Sequence, residues 1–125
     1  MKKYLLPAVL ILLNLQSCKQ KVSYDHLPQG VKTNFAAHVT DAKEVTWEKN
    51  LDYYFAYFTM NGEQGMAVFY RADGNWLETD QALSINDLTA EQRKMLMRYK
   101  SADIKKMTEV KKNDNTDEIK VKIAQ

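Results

Sequence analysis

The pattern of apolar and polar positions along the chain begins with a helical stripe. Apolar residues recur at every fourth position, the spacing of one face of an α-helix, at Leu27, Val31, Phe35 and Val39. Pro28 suits the first turn of this helix, because the N–H that proline lacks would have no helical partner there. We therefore predict a helix that opens at Leu27-Pro28 and that Gly30 weakens somewhat.

A strand pattern follows this helix. Four segments alternate or are rich in aromatic residues and are predicted to be strands: 44–49, 53–60, 66–71 and 76–79. Asn61-Gly62 is the strongest short signal for a β-hairpin, and we expect residues 63–65 to enlarge that loop. The helix and these strands predict an antiparallel meander over residues 27–79.

A shorter copy of the same element order follows after a linker at 80–87. Thr89 can cap a second helix, with Gln92 in capping-box register, and strands at 104–111 and 118–123 come next. Residues 41–50 align weakly with 103–113, which indicates an internal repeat. We predict an α+β fold in two tandem units, each a helix packed on antiparallel strands. Their element orders are α-β-β-β-β over 27–79 and α-β-β over 88–123.

The N-terminal segment differs from the rest of the chain. Lys2 and Lys3 precede an apolar run at 4–15 that is too short to span a bilayer as a helix, and this pattern is typical of a secretory signal. Residues 15–18, Leu-Gln-Ser-Cys, resemble the bacterial lipobox, apart from the unusual Gln16. The alternative is an uncleaved anchor helix or a buried N-terminal helix.

The lipobox resemblance divides the chain into a signal peptide (1–17), a tether (18–26) and a domain (27–125). It implies that Cys18 carries a lipid and is the first residue of the mature protein. Lys19-Gln20-Lys21 lacks the acidic cluster that some surface-exported lipoproteins show. We therefore predict a periplasmic protein held at the outer membrane.

Composition excludes several classes of function. Removing the signal takes away two of the 18 basic residues, which leaves as many basic as acidic residues, so the chain gives no argument for nucleic-acid binding. Cys18 is the single cysteine, so neither a disulfide nor a thiolate cluster can form. His26 and His38 have no motif partners, and no phosphate loop, nucleophile elbow or zinc motif is present. We predict no catalytic residue, no metal and no cofactor.

Residues 27–79 resemble the PepSY-like family, whose members are also described as β-lactamase-inhibitor-like exported proteins of Gram-negative bacteria. The most specific stretch is 68–79, Val-Phe-Tyr-Arg-Ala-Asp-Gly-Asn-Trp-Leu-Glu-Thr, although the family often has an acidic residue in place of Arg71. The resemblance to residues 88–123 is looser, because the second unit is truncated. The family resemblance implies protein binding or inhibition rather than catalysis. A likeness of fold does not make a β-lactamase the target.

The resemblance also implies which side of the sheet stays uncovered. It turns Tyr54, Ala56, Phe58, Val68 and Tyr70 toward the helices. The opposite side, which we call the open face, would then carry five residues as partner contacts: Tyr53, Phe55, Tyr57, Phe69 and Arg71. An uncovered aromatic face indicates an interaction site. The alternative is that the chain itself, a dimer mate or the tether covers it.

Three functional hypotheses follow. The first is a non-enzymatic envelope lipoprotein that binds, and in one version inhibits, another protein through the open face. The second is a chaperone-like or structural component that binds peptides along the sheet edge. The third, a small-ligand carrier or enzyme, needs a pocket with convergent polar groups, for which the sequence offers no candidate cluster.

Overall fold

Seven strands form one antiparallel sheet in the computed structural model, which describes residues 19–100 and 103–124. The strands are neighbours in the sheet in the order in which they follow one another in the chain. They are β1 (Gln20–Val22), β2 (Lys43–Asn50), β3 (Tyr53–Met60), β4 (Glu63–Tyr70), β5 (Asn75–Leu83), β6 (Ile104–Lys112) and β7 (Asp117–Ile123). The predicted signal peptide, the lipobox and Cys18 lie outside the described residues.

Two helices connect strands of this sheet. The ten-residue α1 (Gln29–His38) joins β1 to β2, and the six-residue α2 (Ala90–Met95) lies between β5 and β6. The Thr89 hydroxyl accepts a hydrogen bond from Gln92 N, and the Gln92 side chain accepts one from Thr89 N. The predicted capping box is therefore present. Neither helix, nor any other in the described part of the chain, is long and apolar enough to cross a membrane.

The prediction of two tandem helix-plus-strand units is wrong. β5 continues to Leu83, through the start of the segment that we predicted as a linker, and pairs with β6 over Glu78–Leu83. This pairing satisfies the backbone groups that an edge strand would leave exposed. The strands of both predicted units thus belong to one meander, and α1 is the single substantial helix of the described residues.

The predicted tether also contributes to the sheet. Gln20–Val22 forms β1, which pairs antiparallel with Trp47–Lys49 of β2. Residues Tyr24–His26 then form a single 3-10 turn before α1 begins. Lys19 is therefore held beside the sheet by the strand that follows it.

The core lies between α1 and one face of β2–β4. The Phe35 ring meets Trp47 edge-on with 5.0 Å between ring centroids, and it makes similar contacts with Phe58 and Phe69. The buried members of this cluster are Leu27, Val31, Val39, Trp47, Tyr54, Ala56, Phe58, Ala67 and Phe69. Burial of such side chains is the main source of stability in a chain without disulfides.

The first turn of α1 contacts the backbone of the β4–β5 turn. A Cβ atom on Gly30 would lie 2.4 Å from the Asp73 carbonyl oxygen, and Gly74 opposite it adopts a φ of 74°. Asn34 Nδ2 donates to that Asp73 oxygen at 3.2 Å and to Gly30 O at 2.9 Å. Glycine at position 30, which weakens the helix in isolation, therefore permits its docking.

The β3–β4 hairpin has the tightest possible loop. Asn61 and Gly62 alone connect the strands, with φ of 54° and 80°, and Met60 pairs directly with Glu63. The predicted enlargement of this loop by residues 63–65 is wrong. A two-residue loop fixes the register of the whole hairpin, and here it places Phe69 opposite Tyr54. Even positions of β3 therefore share a face with odd positions of β4.

Candidate functional site

The structure brings together three of the five residues predicted as partner contacts. Tyr53, Phe55 and Tyr57 lie on the face of β3 that points away from α1, which is the open face of the sheet. Tyr53 and Tyr57 are partly exposed, whereas Phe55 is only 1% exposed. Phe55 is therefore buried on this face and offers almost no contact area to a partner.

Phe69 and Arg71 do not lie on the open face, so their predicted placement is wrong. Phe69 is fully buried in the core beneath α1. Arg71 follows β4 in an exposed turn with a φ of 65°, and its Nε lies 4.0 Å from the Asp52 carboxylate. The hairpin register is the physical reason, because it reverses the assignment of β4 side chains to the two faces. The signal that could have shown this is Asn61-Gly62 taken as a complete two-residue turn.

The open face of β4 carries Met66, Val68 and Tyr70, so the prediction that Val68 and Tyr70 face the helices is wrong. Met66 is opposite Tyr57, Val68 opposite Phe55, and Tyr70 opposite Tyr53. Val68 is fully buried, and the Tyr53 and Tyr70 rings lie 5.1 Å apart. We call the partly exposed residues of this surface the aromatic patch: Tyr53, Tyr57, Met66 and Tyr70.

Lys19 covers one end of the aromatic patch. Its ammonium lies 4.1 Å from the Phe55 ring centroid, and it donates a hydrogen bond to the Tyr57 hydroxyl. Burial lowers the pKa of Lys19. Burial, followed by the nearby Glu48 carboxylate, raises the pKa of Tyr57 to about 12, so the phenol stays protonated. Lys19, a residue of the predicted tether, therefore covers the Phe55 ring on the open face.

Two carboxyl groups lie on the open face beside the aromatic patch. Glu78 and Asp80 are two positions apart on β5, so they share one face, and they pair with Val68 and Met66 of β4. Glu78 is only 6% exposed. Burial, followed by a hydrogen bond to Glu78 and its charge, raises the pKa of Asp80 to about 8. A hydrogen bond between two carboxyl groups requires a proton, so we infer that the pair shares one at neutral pH.

The outer oxygens of this acidic pair have no hydrogen-bond donor. Glu78 Oε2 and Asp80 Oδ1 are buried, and within the described part of the chain no donor reaches them. Lys112 and Lys120 lower the pKa of Asp80 through their charges, but neither forms an ion pair with the two carboxyl groups. Two acids spaced by two would share one face of a strand, but only Glu78 fell within the predicted strand, so this acidic pair was not predicted.

The described residues offer no metal site. No group of three or more His, Cys, Asp or Glu side chains in residues 19–100 and 103–124 is arranged to hold an ion. His26 Nδ1 lies 2.6 Å from Ser23 Oγ, and His38 stacks on Trp76 at 4.2 Å between centroids. Both histidines thus make local contacts.

Two surface concavities lie near the ends of the sheet. One, of about 1060 Å³, is formed around β1 and β2, and its charged lining groups are Lys19, Lys21 and Glu48. The other, of about 770 Å³, lies between the segment 89–99 and residues 117–121 of β7. In the described sheet β7 has a neighbour on one side only, and its residues 117–121 line this second concavity.

Comparison with known proteins shows a shared fold. No protein-family model and no curated protein matches the chain. A DUF2874 family protein from Bacteroides ovatus is similar with 27% identity and a TM-score of 0.63, over 81% of this chain and 73% of that chain. A BLIP-like protein from Bacteroides fragilis is similar with 23% identity and a TM-score of 0.64, over 79% and 72% of the two chains.

A third solved structure extends the same set. It is a protein from Bacteroides eggerthii described as periplasmic, with 17% identity and a TM-score of 0.60, over 80% of this chain and 73% of that one. The descriptions of these structures name no enzyme, and none carries the PepSY name, so that resemblance stays a prediction. The chain has the BLIP-like fold that these Bacteroides proteins share.

Proposed function

We propose that this protein is a cell-envelope lipoprotein without catalytic activity, and that it binds another protein through the open face of its sheet. The aromatic patch is the observation that carries the proposal. A sheet face that meets only water is normally polar, whereas this one presents three tyrosines and a methionine. Tyrosine and methionine are enriched in protein interfaces.

The similar solved structures support the class of function. The Bacteroides fragilis protein is described as BLIP-like, and the Bacteroides eggerthii protein is described as periplasmic. The lipid anchor at Cys18 and the outer-membrane location rest on the sequence pattern of residues 1–21. Metabolic labelling with an alkyne fatty acid tests the anchor, because Cys18→Ser should abolish labelling and release the protein from membranes.

Capture of an envelope partner with paired variants tests the binding surface. Tyr53→Ser with Tyr70→Ser removes two rings of the aromatic patch. Tyr24→Ser is the matched control, because Tyr24 is 55% exposed and lies against Lys32 of α1. The patch variant should lose at least tenfold in affinity, and the control should keep the wild-type affinity. Equal binding by all three proteins would refute the use of the open face.

The edge of β7 favours a second candidate function, the binding of extended peptides. A peptide strand added to this edge would gain main-chain hydrogen bonds, and the concavity beside it presents apolar groups from Leu96, Ile119 and Val121. Val121→Pro would remove one edge N–H. Binding of many unfolded clients that this variant weakens would favour the peptide-binding function over a single stoichiometric partner.

A further inference from the structure

We propose that the protein bound by the open face presents an arginine side chain to the carboxyl groups of Glu78 and Asp80. This inference rests on the proposed function, because it names the chemistry of the partner that the open face receives. It concerns the acidic pair, whereas the proposed function rests on the aromatic patch.

The acidic pair lies in the middle of the open face. Asp80 is directly opposite Met66 of the aromatic patch, and the row continues to Tyr57 on β3. Neighbouring strands are about 4.8 Å apart, so the carboxyl groups lie within one side chain's reach of the patch. A partner that covers the patch therefore also covers Glu78 and Asp80.

The unsatisfied oxygens indicate what the partner supplies. A buried carboxylate oxygen without a donor is unfavourable, and Glu78 Oε2 and Asp80 Oδ1 are two such oxygens on adjacent same-face positions. Glu78 is 6% exposed, so the surrounding side chains rather than bulk water determine its environment. A guanidinium group is a planar fork of five N–H donors that serves two carboxylates at once.

The charged neighbours favour a guanidinium over other cations. Lys112 faces the pair from β6, and Lys120 and Glu118 face it from β7, while β4 contributes the uncharged Met66 and Val68. Lysine ammonium groups are thus already present and leave both oxygens without a donor. A metal ion would need more ligands than two carboxylates. Arginine can also stack on a tyrosine ring such as Tyr70 of the aromatic patch.

Binding of the cation replaces the shared proton. The guanidinium hydrogen-bonds both carboxylates only after that proton has left, so binding releases up to one proton to the solvent. By linkage, affinity should rise about tenfold per pH unit below about pH 8.

Two capped tripeptides that differ in one residue test the proposal. Acetyl-Gly-Arg-Gly-amide and its norleucine analogue are titrated into the full-length, ¹³C-labelled protein in neutral detergent, while the carboxyl signals of Glu78 and Asp80 are followed by NMR. We expect saturable shifts of both signals with the arginine peptide alone, and tighter binding at higher pH. Absent or non-saturating shifts, or equal shifts with norleucine, would overturn the inference.

Matched variants separate the pair from general acidity. Glu78→Gln with Asp80→Asn keeps the side-chain shapes and should abolish the saturable binding. Glu109→Gln is the control, because Glu109 lies on the opposite face, where burial, followed by a hydrogen bond with Asp117, raises the pKa of its carboxyl group. If the double variant still binds the peptide, the inference is refuted. The proposed function is tested separately, by the effect of Tyr53→Ser with Tyr70→Ser on capture of the partner.

Discussion

The acidic pair on β5 should make the stability of the protein fall as pH rises. The pKa of Asp80 is about 8 in the folded protein, against an ordinary value of 3.8 that applies to the unfolded chain. Between these values the folded state holds one more proton than the unfolded state. The free energy of unfolding therefore decreases with pH in this interval. Replacing Asp80 by asparagine keeps the shape and donates a hydrogen bond to Glu78 without needing a proton.

The magnitude follows from the width of the interval. One proton corresponds to about 1.4 kcal/mol per pH unit, so the change from about pH 4 to about pH 8 approaches 6 kcal/mol before solvent screening of Asp80. Screening reduces this figure to about 2–4 kcal/mol. That is a large share of the 5–15 kcal/mol typical of a domain. The contribution is complete below about pH 4, and it is lost by about pH 8.

Urea denaturation followed by tryptophan fluorescence measures this effect, since Trp47 and Trp76 report on the core. Wild-type protein should lose stability steadily from about pH 5 to about pH 8. The Asp80→Asn protein should show a flatter profile and should be the more stable of the two above about pH 7. Parallel profiles for the two proteins would refute the reasoning, and so would a wild-type stability that rises over this range.

Three further substitutions test the register, the helix contact and a turn. Phe69→Ala should lower the free energy of unfolding by about 3–5 kcal/mol, because the ring is fully buried; a loss below about 1 kcal/mol would contradict its place in the core. Gly30→Ala should lower the melting temperature despite alanine's better helix propensity, because its Cβ meets the Asp73 carbonyl at 2.4 Å; an increase would show that α1 does not dock there. Leu51→Gly should raise stability by about 0.5–1 kcal/mol in a urea titration, because Leu51 is 71% exposed with a φ of 54°; unchanged stability would mean that the turn carries no strain.

Local patterns predicted the elements well. The period of four predicted α1, and the richness in aromatic residues predicted β3 with the bounds that the structure shows. β6 and β7 differ from the prediction by one residue each. These elements are determined by side chains within a few positions of one another, which is the range over which sequence periodicity carries information.

Pairing between distant strands was harder to predict. The segment after Thr79 continues as β5 because β6 pairs with it. No local pattern in residues 80–83 predicts pairing with a strand almost thirty positions away. The face assignment of Phe69 failed for a different reason, because the loop length that fixes register was overestimated. The acidic pair was missed because Asp80 was placed in a linker, where a charge needs no partner.

The position of β1 has a consequence for how far the protein can act from the membrane. The sheet begins at Gln20, and Lys19 is held against Phe55 and Tyr57. On the proposed lipid anchor, one residue separates Cys18 from the sheet, and an extended residue spans only about 3.5 Å. No flexible linker then separates the domain from the bilayer, and the Lys19 end of its aromatic patch lies at headgroup level. Its partner has to meet it there, which selects proteins that are themselves embedded in or resting on the same bilayer.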